Sequence, residues 1–227
     1  MATGLAVVIG IGGAAEGAEP QRAASAPSAS SPTLLHRALA DVDGDGRPDI
    51  VTLSRSNSGT AVQPNGGRLQ VELASGPVIS VSTATDAPYL PGLVRVGNVD
   101  GRPGEELFVD VGHITTEEDI AVYTYANGRL LDAGTFAAYG EEYGIRSGIT
   151  CSVRAGAHLL TQRAFELRSS GTRRWWERNT VYRWAGTRLA LRSRGSAHRI
   201  AGGPPAALVG VHCGHVPAPA PPPAPNV

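Results

Sequence analysis

The chain has 227 residues and 20 acidic against 20 basic side chains, so its formal net charge is zero. That length allows one domain of ordinary size with tails, and neutrality excludes a global field drawing the chain to nucleic acid or an anionic membrane. The charge is segregated all the same: residues 1–142 carry 18 acids and 8 arginines, and residues 143–227 carry 2 acids and 12 arginines, giving −10 and +10. Two readings stay open: the halves face each other or coexist on the surface, or the arginine-rich third meets an anionic partner.

Leu5-Ala-Val-Val-Ile-Gly-Ile-Gly-Gly-Ala-Ala15 is a short apolar run of signal-peptide type, followed by small residues suited to cleavage. It lacks the basic n-region such a signal wants, since Met1-Ala-Thr-Gly holds no arginine. The run is too short to span a bilayer, and no later segment approaches the ~20 apolar residues a span needs, so no transmembrane span is predicted. The dinucleotide-like Gly10-Ile-Gly12 falls inside this run with no strand before it and is set aside. Residues 1–32 are therefore read as a signal-like segment plus a flexible linker, and the protein as secreted.

The next segment, Asp41-Val-Asp43-Gly-Asp45-Gly46-Arg47-Pro-Asp49, carries the clearest chemistry. Its aspartates occupy positions 1, 3, 5 and 9, where a tight loop turns alternate side chains toward one point, and Gly46 permits the reversal. The Arg47 carbonyl at position 7 adds a fifth oxygen. Two carboxylates ~4 Å apart repel by about 4 kcal/mol at an effective dielectric of about 20, so such a cluster calls for a cation. A compact set of hard oxygens suits calcium better than the octahedral, water-keeping magnesium. An EF-hand loop starts the same way but demands an acid at position 12, where Thr52 stands, and flanking helices.

Beyond the loop the chain reads as strand nearly throughout. The runs are Asp49-Ile-Val-Thr-Leu, Leu69-Gln-Val-Glu-Leu, Pro77-Val-Ile-Ser-Val, Glu106-Leu-Phe-Val-Asp-Val, Ile120-Ala-Val-Tyr-Thr-Tyr, Asn179-Thr-Val-Tyr-Arg-Trp and Leu189-Ala-Leu-Arg. Asn65-Gly-Gly, Asn127-Gly128 and Ala185-Gly186 mark turns. Gly46, Gly101 and Gly156 recur 55 residues apart, each leading into a strand, and Arg-Leu recurs at 68–69, 129–130 and 188–189. The fold class expected is all-β, with about three β-meander repeats of ~55 residues over 33–215, like propeller blades but too few for most closed rings. The strand Ala207-Leu-Val-Gly-Val-His is expected to complete a sheet with the first unit. Residues 216–227, rich in proline, are read as a disordered tail outside any ladder.

The Asp41–Asp49 loop with its following apolar strand Ile50-Val51 resembles the metal loop of the FG-GAP/VCBS repeat family, found in integrin α-like calcium-loop propellers and secreted bacterial proteins. The resemblance implies propeller-type blades, Asp41, Asp43, Asp45, Arg47 and Asp49 as Ca2+ ligands, and a binding or adhesion role. The second unit resembles the loop in degraded form, with Val96 at position 1, Asn98 at 3, Asp100 at 5 and a displaced Glu105 at 9. The third, at Val153-Arg-Ala-Gly156, has no acid.

No nucleophile elbow, zinc-protease helix or P-loop occurs, so no enzyme is expected. The alternative is a secreted hydrolase acting on cell-envelope polysaccharide or peptide through Glu141, Glu142 or His212. Trp175-Trp176, set among arginines, either stack a sugar or an anionic polymer or form a hairpin with one face in the core. Cys151 and Cys213 suit a disulfide, worth roughly 2–5 kcal/mol. A metal or nucleophile site at His212-Cys213-Gly214-His215 is the other reading. The expected partner is a protein or a cell-envelope glycan, and the expected state a monomer.

Overall fold

Short β-branched and aromatic runs separated by tight turns fold as successive hairpins, and in the computed structural model they give three antiparallel four-strand meanders. The structure describes residues 33–55, 67–83, 92–113, 118–140, 144–169 and 174–222. The signal-like segment, the Asn65-Gly66 turn, Glu141, Glu142 and residues 223–227 lie outside them. The first meander comprises β1 (Thr33–Ala40), β2 (Asp49–Arg55), β3 (Gly67–Glu72) and β4 (Val78–Thr83). The second comprises β5 (Gly92–Gly97), β6 (Glu106–His113), β7 (Glu118–Ala126) and β8 (Arg129–Ala138). The third comprises β9 (Ile145–Arg154), β10 (Ala157–Ser169), β11 (Arg174–Ala185) and β12 (Arg188–Arg194), with β13 (His198–Ile200) paired to β11. None of the sheets closes on itself, and no helix among the described residues is long and apolar enough to cross a membrane.

The central meander is covered on both faces, which explains its continuous apolar runs. Leu107, Val109, Ala121 and Tyr123 pack with Val51, Leu53, Leu69 and Val71 of the first sheet. Phe108, Ile120 and Val122 pack with Ile149, Leu160 and Trp184 of the third. Phe136 and Tyr182 meet edge to face across that second interface, ring centroids 4.8 Å apart. The outward faces of the flanking sheets are more open, with Val78, Val153 and Leu191 exposed.

Turn chemistry sets the registers. Asn127 and Gly128 both take positive φ, 52° and 75°, as a type I′ hairpin requires, and Ala155 and Gly156 do the same at 48° and 73°. The last hairpin turns at Gly186-Thr187 rather than at Ala185-Gly186, because Ala185 still pairs with Arg188. The repeated Val-Tyr pairs mark the same register shift in two sheets, between Val122 and Tyr123 and between Val181 and Tyr182. The Arg-Leu repeat is only partly equivalent: Arg129 and Arg188 open fourth strands, whereas Arg68 lies in a third strand.

The C-terminal segment runs as a strap across the first strand of every meander. After a 3₁₀ turn at Ala206–Leu208, β14 (Gly210–His212) pairs in parallel with β9, Val96 of β5 bridges to His215, and β15 (Ala218–Pro219) pairs with β1. The strand expected to join the first unit thus joins the third, held there by the Cys151–Cys213 disulfide. Bonded Cys213 has no thiolate to serve as a metal ligand or nucleophile. The proline-rich segment does contribute a ladder. Its Ala-Pro alternation keeps an N–H on every second residue, and Ala220 donates to the Arg37 carbonyl at 3.3 Å while the prolines' missing donors fall on the other edge. Gly97 and Gly214 let the strap lie this close, since a Cβ on Gly214 would sit 2.0 Å from the Val96 carbonyl oxygen.

Candidate metal centre

The centre is the turn between β1 and β2, beyond the last rung of their ladder, Ala40 opposite Asp49. Its aspartates first organise their own backbone. Asp41 accepts the Gly44 and Gly46 N–H groups, both at 3.0 Å, Asp43 accepts that of Asp45 at 3.2 Å, and Asp45 that of Arg47 at 2.8 Å. Asp49 is fully buried and ties the turn to the sheet: its two oxygens accept Val42 N–H at 2.8 Å and Ala74 N–H at 2.7 Å.

Asp41, Asp43 and Asp49 each bring one carboxylate oxygen to within 4.8 Å of the others. Oxygens sharing one calcium at 2.3–2.6 Å lie at most about 5 Å apart, so the donor set fits that ion in chemistry and in span. Asp45 stands outside this triplet, 4.0 Å from the Arg47 guanidinium, which also donates to the Ala74 carbonyl at 2.9 Å. The Asp43 carboxyl is held above its usual range by burial, against the Asp45 N–H bond, with the charges of Asp49, Asp45 and Asp41 adding to the rise.

The loop is docked on the second meander. Glu105 N–H donates to the Asp41 carbonyl and Asp41 N–H donates to Glu105 Oε2, both at 2.8 Å. Gly104 lies so near that a Cβ there would sit 2.6 Å from the Val42 carbonyl oxygen.

The turn between β5 and β6 repeats the scaffold in a register different from the one expected. Val99 N–H donates to Glu106 Oε2 at 2.8 Å, as Val42 does to Asp49; Gly101 N–H donates to Asn98 at 3.1 Å, as Gly44 does to Asp41. Arg102 N–H donates to Asp100 at 2.7 Å, as Asp45 does to Asp43. The step between copies is 57 residues, with Asn98 at position 1, Asp100 at 3, Arg102 at 5 and Glu106 at 9, and no insertion. The sequence signal was Asp41-Val-Asp-Gly against Asn98-Val-Asp-Gly; aligning Gly46 with Gly101 hid it and missed Arg102 and Glu106. In the third unit the corresponding turn is the Ala155-Gly156 hairpin, followed by His158, whose Nδ1 lies 3.3 Å from the Val99 carbonyl oxygen.

A cleft of about 340 Å³ is lined by residues of both loops, Asp43 of the first and Asp100, Arg102 and Glu106 of the second, together with Thr124 of β7. Burial pushes the Glu106 carboxyl up to about 7, opposed by the Val99 N–H bond, reinforced by the Asp100 charge, and opposed again by Asp100 N–H and the Thr124 hydroxyl.

The remaining candidates are dispersed. His212 is exposed on the strap, its Nε2 2.8 Å from the Val209 carbonyl oxygen. Trp175 and Trp176 are half-buried, with the Arg146 guanidinium 5.9 Å from the first ring and that of Arg168 4.9 Å from the second. The buried tryptophan of this sheet is Trp184. No family model, no curated protein and no solved structure matches the chain.

Proposed function

We propose that the chain is an exported β-repeat module of FG-GAP/VCBS type, stabilised by one calcium ion and acting in binding or adhesion to a protein or a cell-envelope glycan. The observation that carries this reading is the convergence of Asp41, Asp43 and Asp49 at a turn docked on the neighbouring sheet. Those three carboxylates would hold the ion, with Asp45 and the Arg47 carbonyl available to complete its oxygen shell. The ion would supply positive charge where acids crowd, and so brace the contact between the first two meanders. In this reading the three sheets are propeller-type blades and the strap is what fastens them. The signal-like N-terminal run and the disulfide support an oxidising, extracytoplasmic setting. A partner has an aromatic place to rest in the cleft of about 330 Å³ lined by Arg146, Trp175, Gly202, Gly203 and Pro204.

Calcium titration by calorimetry and melting in chelator test the reading. The expected result is one ion per chain and a melting temperature raised by several degrees in saturating calcium, since a ligand of the folded state stabilises by mass action. No heat of binding and an unchanged melt would overturn it. Glycan-array binding that falls on Trp175→Ala would locate the partner surface.

A further inference from the structure

The two loops share a scaffold and differ in charge. The first places four aspartates in its turn, and its arginine, Arg47, reaches outward to the Ala74 carbonyl. The second has the neutral Asn98 at position 1 and holds three acids: Asp100 and Glu106, both buried, and Glu105, whose Oε2 is turned to the Asp41 N–H of the first loop. Two buried acids side by side need a positive charge or a proton. Position 5, an aspartate in the first loop, is an arginine in the second. Its Nε donates to Asp100 Oδ2 at 2.5 Å, and an Nη donates to the same oxygen and to the Thr124 hydroxyl, the latter at 3.1 Å. That hydroxyl donates in turn to Glu106 Oε1 at 3.2 Å. The guanidinium is therefore joined to one of the two buried acids of its loop directly and to the other through a single hydroxyl.

We propose that Arg102 is the resident cation of the second loop, standing against Asp100 where a divalent ion would stand against Asp43 in the first. Position 5 of the loop, Asp45 in one copy and Arg102 in the other, then decides whether a loop takes up an ion or supplies its own charge. The inference deepens the calcium reading of the first loop and rests on it for the comparison. It makes the chain a one-ion protein with two loops of one design. It also makes the second sheet's turn independent of calcium supply, so that chelation loosens the first sheet's turn while the second stays formed.

The test uses the full chain, calcium titration by calorimetry, and thermal melting in chelator and in calcium. Arg102→Asp is expected to take up a second ion per chain. It should melt several degrees below the parent in chelator and recover most of that loss in calcium. Arg102→Gln, which removes the charge without adding an anionic ligand, is expected to melt lower in both conditions. Asp45→Arg is expected to weaken uptake at the first loop at least tenfold, and to melt in chelator no lower than the parent. Should Arg102→Asp fold poorly, Asp45→Arg and Arg102→Gln decide. Unchanged stoichiometry together with parental melting of Arg102→Asp overturns the proposal, as does Asp45→Arg binding calcium within twofold of the parent. The parent titration reports separately on the calcium reading. If the parent binds no ion, that reading fails, and the resident-cation proposal stands or falls on whether Arg102→Gln lowers the melt in chelator.

Discussion

Glu105 and Asp41 exchange two hydrogen bonds of 2.8 Å, one through the Glu105 backbone and one through its side chain, so the first turn is held by a residue of the turn between β5 and β6. Removing the side chain leaves the part-buried Asp41 N–H without its acceptor, which costs about 1–3 kcal/mol. Glu105→Ala is expected to lower the unfolding free energy by that amount, read as a lower urea midpoint at unchanged slope, and to weaken calcium binding. Glu105→Gln, which retains an acceptor oxygen, should recover most of both. Parental stability and affinity in Glu105→Ala would refute the coupling.

Within the first loop, folding and ion binding fall on different aspartates. Both Asp49 oxygens hold backbone N–H groups, so Asp49→Ala orphans two donors and is expected to destabilise by about 3 kcal/mol even in chelator. Asp43 holds one N–H, and its charge is opposed by Asp49, Asp45 and Asp41. Asp43→Asn should therefore leave stability in chelator unchanged or slightly higher, and should abolish the gain on adding calcium. Denaturant unfolding of both variants with and without calcium checks the division.

What was legible in the sequence was whatever rests on local pattern. Alternation in Leu69-Gln-Val-Glu and the unbroken apolar run Leu107-Phe-Val distinguish a one-faced strand from a two-faced one, and Asn127-Gly128 marks its hairpin. The aspartate spacing at 41, 43 and 49 likewise located the cluster that the fold brings together. What was hidden depends on partners distant in sequence. Asp45 has the right spacing, yet it stands outside the triplet, its carboxylate accepting the Arg47 N–H. Glu106 matches Asp49 only once both are seen accepting a valine N–H seven residues back, because a longer acid at position 9 disguises the copy. The proline-rich segment looked unable to pair because a count of prolines ignores which edge of the strand they occupy.

The cleft between the loops gives stability a pH dependence of definite sign. Glu106 is nearly inaccessible and its carboxyl is raised to about 7 in the fold, while the unfolded chain titrates near its ordinary 4.5. Its surroundings are Asp100 and Arg102 on its own loop, Thr124 on β7, and Asp43 across the cleft. A raised carboxyl means that the folded state binds the extra proton. The contribution is complete below about 4.5 and is lost as pH climbs through about 7. The loss is at most about 3 kcal/mol. Glu106→Gln removes the titration and should flatten the stability profile between pH 5 and 7 relative to the parent, in denaturant midpoints taken across that range. An equally steep profile in Glu106→Gln would assign the dependence elsewhere.

The strap is fastened in three ways, and they are separable. The disulfide spans 62 residues, and closing a loop of that length stabilises by about 4 kcal/mol in the chain-entropy account. Cys151→Ser with Cys213→Ser is therefore expected to lower stability by about that amount. The variant should still unfold in one cooperative step, because β14 keeps its rungs with β9 and Val96 its bridge to His215. Close approach is the second fastening. Gly214→Ala places a Cβ against the Val96 carbonyl oxygen, at a residue whose φ is +60°, and should pry the strap off β5 while the disulfide still tethers it. The third is β15, whose short pairing with β1 should contribute least. Hydrogen exchange at the His215 and Val96 amides reads all three. Protection should fall modestly in the cysteine variant, sharply in Gly214→Ala, and little in a chain ending at Val216. If the shortened chain lost as much protection as Gly214→Ala, the strap would be anchored on the first meander instead of the second and third.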